Sequence, residues 1–162
     1  MQFPDGKTFL DRLRVLYFAL ISGPFLFFII CYFGFREGSI KASYPGLVPT
    51  FQYAVPVVCL VLFILGHWVY RKTLLPFRTE GTLREKLMGL FRASLLKYAA
   101  LEGASLFTVI IYYLTGHIMF AGMYIVVLVV YSINSPTAPG IVRSLRMKKE
   151  DAETFMQNKL IE

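Results

Sequence analysis

The sequence predicts an all-α integral membrane protein, a four-helix bundle with both termini on the cytoplasmic side. Three observations carry that expectation. Apolar residues make up 56% of the 162-residue chain and charged residues only 17%, with a mean hydropathy of +0.58. The apolar residues fall in four long blocks rather than in the alternation with polar residues that a soluble domain needs. Each block approaches the ~20 residues that cross ~30 Å of hydrocarbon at ~1.5 Å per residue. Finally, nearly all basic residues lie on one side of those blocks.

Residues 1–14 are a basic approach in which Asp5, Gly6 and Thr8 can start a helix, while Phe9, Leu10 and Leu13 bring it to the interface. Span one covers 15–33, 19 residues without a charge. Within it Pro24, behind Ser22-Gly23, leaves the Leu20 carbonyl without a backbone donor, which predicts a kink. The block is longer than the apolar core of a cleaved leader, and Gly34-Phe35-Arg36-Glu37 follows it in place of a small-x-small site, so it is expected to stay in the chain. Residues 34–52, with Gly38, Pro45, Gly46 and Pro49, read as an outer loop with room for a short surface helix. Span two, 53–70, ends in Trp68 and Tyr70 before Arg71-Lys72, the aromatic and basic anchors of a cytoplasmic exit.

Thr82-Leu83-Arg84-Glu85 fits a capping box, so the helix of span three starts well before the membrane. Its extension 83–94 is amphipathic: Leu83, Leu87, Leu90 and Phe91 share a face, as in a helix resting on the bilayer surface. A solvated extension and a partner-docking helix both fit that pattern. Span three covers 95–114, and Thr115-Gly116-His117 then makes a tight outer turn into span four, 118–133. That span stops at Asn134-Ser135-Pro136, where Asn134 can take the left-handed C-cap conformation and Pro136 blocks continuation. Pro139 can open a final helix carrying Arg143, Arg146, Lys148 and Lys149. The expected division is a four-span domain over 1–140 and a charged cytoplasmic tail over 141–162.

Lys and Arg number 17 against 10 Asp and Glu, a net charge of +7. Only Arg36 and Lys41 sit in the loop after span one, and the other 15 basic residues precede span one, lie between spans two and three or at the start of span three, or follow span four. The positive-inside rule accounts for this split and predicts that both termini are cytoplasmic. Topology therefore absorbs the basic excess, and nucleic acid is not an expected partner. The expected partners are the lipid bilayer together with other membrane-protein subunits or further copies of the chain. Cys31 and Cys59 form no C-x-x-C pair and read as packing residues. His67 and His117 fall at opposite ends of their spans, roughly a bilayer thickness apart, so they cannot share one iron. No Ser/His/Asp set, zinc-ligand spacing or Gly-rich phosphate loop is present, so neither enzymatic activity nor a cofactor is expected.

Glu102 stands out. Seven residues past Leu95, it lies about 10 Å below the cytoplasmic boundary of the hydrocarbon. A carboxylate exposed to lipid there costs roughly 2.5–3.5 kcal/mol, so it must face protein or water, or carry a proton. Tyr98 and Ser105, at i−4 and i+3, are its candidate hydrogen-bond partners. Ala99-xxx-Gly103 matches Ala19-xxx-Gly23 of span one as a small-residue packing signature, which predicts that spans one and three touch. Two readings of Glu102 stay open. It is an ion or proton site with Tyr98 and Ser105, or it is a held carboxyl that fixes helix packing. Spans one and three also share an echo: Tyr17-Phe18-Ala19-Leu20 with Tyr98-Ala99-Ala100-Leu101, and Gly23-Pro24-Phe25-Leu26-Phe27 with Gly103-Ala104-Ser105-Leu106-Phe107. It fits two parallel-repeat helical hairpins and fits convergent membrane composition equally well.

The segment Ala100-Leu101-Glu102-Gly103-Ala104-Ser105-Leu106-Phe107, behind a basic loop, resembles the carboxylate helix of the ATP synthase c subunit. In that family the corresponding Glu binds the translocated proton or sodium ion, a role the resemblance carries to Glu102. Span two, Val55-Pro56-Val57-Val58-Cys59-Leu60, lacks the family's glycine repeat, and the loop containing Pro76 is longer. Small multidrug transporters share four spans and one membrane Glu, but theirs is in the first span. As a whole the chain is similar to small four-span membrane proteins of Bacteroidota-type bacteria, with a basic approach, a Gly-Pro first span and a Leu-Glu-Gly third span. That resemblance implies no particular activity. The expected role is a noncatalytic subunit or accessory protein of a larger inner-membrane complex, and the rival is a proton- or sodium-translocating proteolipid using Glu102.

Overall fold

The computed structural model describes residues 5–78, 82–157 and 159. The chain is 87% helical, with no strand among the described residues. Six α-helices follow in order: α1 Gly6–Glu37, α2 Val48–Leu74, α3 Leu83–Thr115, α4 Ile118–Ile133, α5 Ala138–Leu145 and α6 Lys149–Met156. Three of them, α1, α2 with its flanking turns, and α3, are long and apolar enough to cross a membrane. At 16 residues α4 reaches that length only as a bent pair with α5, so the candidate spans number three, or four if the pair is one broken span.

Local chemistry explains the helix ends. Asp5 caps α1, its Oδ1 accepting from the Thr8 amide at 2.6 Å and its carbonyl from the Phe9 amide at 3.2 Å. α1 runs unbroken through Pro24 and ends at Gly38, whose φ of +75° lies in the region open to glycine. A 3₁₀ turn over Pro45–Leu47 precedes α2, and the Tyr44 amide donates to the Leu114 carbonyl at 2.9 Å, tying the outer loop to the end of α3. The capping box before α3 is reciprocal. The Thr82 amide donates to Glu85 Oε2 at 2.9 Å, and the Glu85 amide to Thr82 Oγ1 at 3.3 Å.

The turn between α3 and α4 is the expected tight one. Gly116 has φ +63°, and a Cβ there would sit 3.1 Å from the Ala42 Cβ and 3.2 Å from a Phe35 ring carbon. His117 caps α4, its Nδ1 accepting from the Met119 amide at 3.3 Å. Two expectations fail beyond α4. Asn134 is not left-handed (φ −90°); its side-chain amide donates instead to the Val130 carbonyl at 2.7 Å, which satisfies the helix end without the strained conformation. The left-handed residue is Arg146 (φ 49°), and it divides the expected single basic helix into α5, capped by Thr137, and α6.

The chain divides into two compact units. The first joins residues 1–18, 67–98 and 135–162, so the charged tail 141–162 groups with the starts of α1 and α3 and the end of α2. Its core holds Phe9, Leu13, Leu74, Leu87, Leu90, Leu145 and Phe155. Phe9 packs edge-on against Phe91 and Phe155, and Gly89 leaves room for the Phe77 ring against α3. The amphipathic face expected over 83–94 thus supplies Leu87 and Leu90 to this core.

The second unit, residues 19–66 and 99–134, draws its core from α1, α2, α3 and α4, with Cys31, Val55, Cys59, Val109, Tyr112, Phe120 and Tyr124 buried together. α3 is its central helix. Of each helix's most apolar stretch, 44% is buried for α3 against 17% for α1 and 11% for α2. The outward faces are apolar, with Leu26, Ile30, Val57, Leu60, Ile64, Val126 and Val129 exposed. On a water-soluble surface such an extent of apolar area is rare, whereas acyl chains solvate it without cost.

Candidate functional site

α3 presents Glu102 on its less buried side, in line with the exposed Ala99 and Ile110 and the partly exposed Gly103 and Leu106. The side chain is half-buried, and it makes no hydrogen bond or ion pair with any described residue. Neither expected partner holds it. Ser105 is fully buried, and its hydroxyl has no hydrogen-bond partner among the described residues. Tyr98 belongs to the first unit, where its ring stands edge-on to Tyr17 at 5.3 Å.

The small-residue stripe is also placed differently from the expectation. Ala19, Gly23 and Ala99 are exposed, and a Cβ on Gly23 would meet nothing within 4 Å. Of the two glycines, Gly103 has a neighbour, Leu62 of α2, at 4.0 Å from a Cβ built on it. α1 and α3 do touch, but through aromatic rings. Tyr17 meets Tyr98 in the first unit, and Phe27 meets Tyr113 while Phe28 and Phe35 meet Tyr112 in the second. These rings meet at 5.3–5.9 Å between centroids, so aromatic contacts join the two helices.

Reading the sequence missed two arrangements. In the second unit Thr108 Oγ1 donates to the Ala104 carbonyl at 2.8 Å and lies 3.3 Å from Cys59 Sγ, so a buried thiol and hydroxyl satisfy one another between α2 and α3. In the first unit the ammonium of Lys97 lies 5.1 Å from the Tyr70 ring centroid, and that of Lys72 4.9 Å from the Trp68 ring. Lys97 falls two residues inside the apolar block of span three, a signal that was available. The i→i−4 pairing of Thr108 was legible as well, but its meeting with Cys59 was not.

No three His, Cys, Asp or Glu side chains among the described residues come close enough to share a metal ion. What Glu102 offers by itself is a carboxyl that can take and release one proton, or accept hydrogen bonds from an adjoining surface. The fold and this site define a class: an all-α protein with three to four apolar helices long enough to span a membrane. Compared with protein-family models, curated proteins and solved structures, the chain matches none.

Proposed function

We propose that the chain is a noncatalytic subunit or accessory protein of a larger bacterial inner-membrane assembly, with both termini cytoplasmic. The observation that carries this reading is Glu102, half-buried within the apolar block of α3 and without a partner among the described residues. Left ionised against lipid it costs roughly 2.5–3.5 kcal/mol, and a neighbouring subunit offering a donor or cation removes that penalty. The open stripe of Ala19, Ser22 and Gly23 supports the same reading, because it lets a foreign helix approach α1 closely. Three to four apolar helices, with Glu102 as the one carboxyl within their apolar blocks, leave little machinery for an independent transporter.

The second reading is an ion-translocating, proteolipid-like protein. It is favoured by the same lone carboxyl, which resembles that of the ATP synthase c subunit in its Leu-Glu-Gly-Ala setting. Copurification in mild detergent, with native protein and Glu102→Gln, separates the two. Reproducible capture of unrelated large membrane subunits, lost in Glu102→Gln, supports the first. A homo-oligomer that exchanges protons or sodium in liposomes, and keeps its assembly but not its exchange in Glu102→Gln, overturns it in favour of the second.

A further inference from the structure

The net charge of this protein is confined to one unit. Residues 19–66 and 99–134 carry Arg36 and Lys41 against Glu37 and Glu102 and sum to zero, so the whole +7 belongs to residues 1–18, 67–98 and 135–162. Inside that first unit, two cationic side chains, Arg71 and Lys97, and the His67 imidazole meet where α2 leaves, and α3 enters, the apolar blocks. Lys97 and Arg71 both act electrostatically on His67, Lys97 lies over the Tyr70 ring, and the His67 and Tyr70 rings are 6.5 Å apart. None of His67, Arg71 and Lys97 has an ion pair or hydrogen bond with a described residue. The ion pairs among described residues are Arg14 with Asp11 and Lys86 with Asp151, both elsewhere.

Gathering cations with no acid paired to them among the described residues costs free energy unless an anion joins them. The same turns carry exposed apolar side chains: Trp68 beside His67, Leu75 after Lys72, and Leu95 and Leu96 before Lys97. A free phosphate in water has no use for such a surround, whereas a phospholipid places its phosphate at the interface and its tails alongside. We propose that His67, Arg71 and Lys97 form a binding site for the phosphate of an anionic phospholipid in the adjoining leaflet, with Trp68 and Leu96 against its acyl chains. This depends on the chain being in a bilayer and not on either role assigned to Glu102.

Trp68 is the only tryptophan in the chain, so it reports on this site alone. Purified protein is reconstituted in phosphatidylcholine vesicles, and Trp68 fluorescence is quenched by brominated phosphatidylglycerol or by brominated phosphatidylcholine at the same mole fraction. The anionic lipid is expected to be preferred, and Lys97→Gln or Arg71→Gln to lower that preference about fivefold each, the effect of one interfacial cation. Lys97→Arg keeps it, and so does the Lys148→Gln/Lys149→Gln pair, which removes equal or greater charge from the same unit. Circular dichroism establishes that each variant is folded, and Arg71→Gln carries the comparison if Lys97→Gln is not. Equal quenching by the two lipids overturns the proposal, as does a fall in preference in the Lys148/Lys149 control as large as that in Lys97→Gln. Displacement of the brominated lipid by millimolar inorganic phosphate assigns the cations to a free anion and overturns it too.

Discussion

Lys86 Nζ lies 2.9 Å from Asp151 Oδ2, joining the start of α3 to the first turn of α6 across 65 residues of sequence. The lysine side chain is only 10% exposed and the carboxylate 28%. Asp151 also sits where the amides of α6 favour negative charge.

Removing one partner strands the other, and for a largely buried pair that costs about 3–5 kcal/mol. Asp151 keeps some contact with water, so Asp151→Ala is expected near the lower end of that range. Lys86→Met with Asp151→Leu, which removes both charges, is expected to be much closer to neutral. Thermal unfolding in detergent, read as a double-mutant cycle, checks this; additive losses in the double variant would show that the pair is not coupled.

Thr82→Ala is expected to cost about 1 kcal/mol, the usual worth of an N-cap. Each side chain bonds the other residue's backbone amide, so Glu85→Ala removes a separate bond and its loss adds to that of Thr82→Ala. Hydrogen exchange of the amides at the start of α3 is the readout. Unchanged protection in Glu85→Ala would count against its carboxylate holding the Thr82 amide.

Gly116→Ala combines a left-handed backbone with contacts at 3.1 Å to the Ala42 Cβ and 3.2 Å to Phe35. The conformation alone costs an alanine about 1–2 kcal/mol, and crowding adds to it. A lowered unfolding temperature is expected, with loss of protection at the Tyr44 amide, which bonds to the nearby end of α3. An unfolding temperature equal to that of the native chain would show that the turn relaxes freely.

Gly23→Leu separates packing within the chain from packing against a partner. Nothing in the described structure lies within 4 Å of a Cβ at Gly23, so the isolated protein is expected to keep its stability. If a foreign helix lies on the Ala19–Gly23 face, copurifying subunits are lost at the same time. Retention of every partner would remove this face from the assembly surface.

Asp5 gives a pH dependence of known sign. Its carboxylate accepts from the Thr8 amide at 2.6 Å, and this bond, with help from the Thr8 hydroxyl and Lys7, holds its pKa below the ordinary carboxylate value. A depressed folded-state pKa means that its stabilising contribution is complete above the ordinary value of about 3.9 and is lost as pH falls through the lower folded value. NMR titration of the Asp5 carboxyl carbon is expected to give a midpoint below that of a model aspartate. Fraying at Thr8 should follow the same midpoint, and in Asp5→Asn no pH dependence of the first turn should remain.

Helices dictated by lipid-length apolar blocks were legible in detail where a block ends in a local stop. α4 occupies Ile118–Ile133, the expected limits, because Gly116-His117 precedes it and Asn134-Ser135-Pro136 follows it. Elsewhere the blocks marked hydrocarbon and not helix. α1 begins at Gly6 and α2 at Val48, since backbone hydrogen bonding continues through interfacial residues once a cap or a 3₁₀ turn has started it. The single basic helix expected after Pro139 was wrong for a related reason. Nothing local marks Arg146 as a left-handed break, and it occurs where Leu145 and Phe155 are both buried in the core of the first unit.

Glu102 as the outlying residue was visible from hydropathy alone, as was the capping box that starts α3. The environment of Glu102 was not. Helical spacing brings Tyr98 and Ser105 onto neighbouring turns, but it does not aim their hydroxyls, and in the structure neither bonds the carboxyl.

By itself the sequence determined a helical chain with lipid-length apolar segments, the capping box before α3 and the tight turn at Gly116, and the one carboxyl within those segments, because propensity, capping and transfer from water act over a few neighbouring residues. Tertiary structure alone decided that aromatic rings join α1 to α3, that α6 returns to α3 through Lys86 and Asp151, and that Lys97 gathers with His67 and Arg71. Those outcomes depend on which side chains meet across distant segments, and the packing of their volumes and charges is set only when the helices have docked.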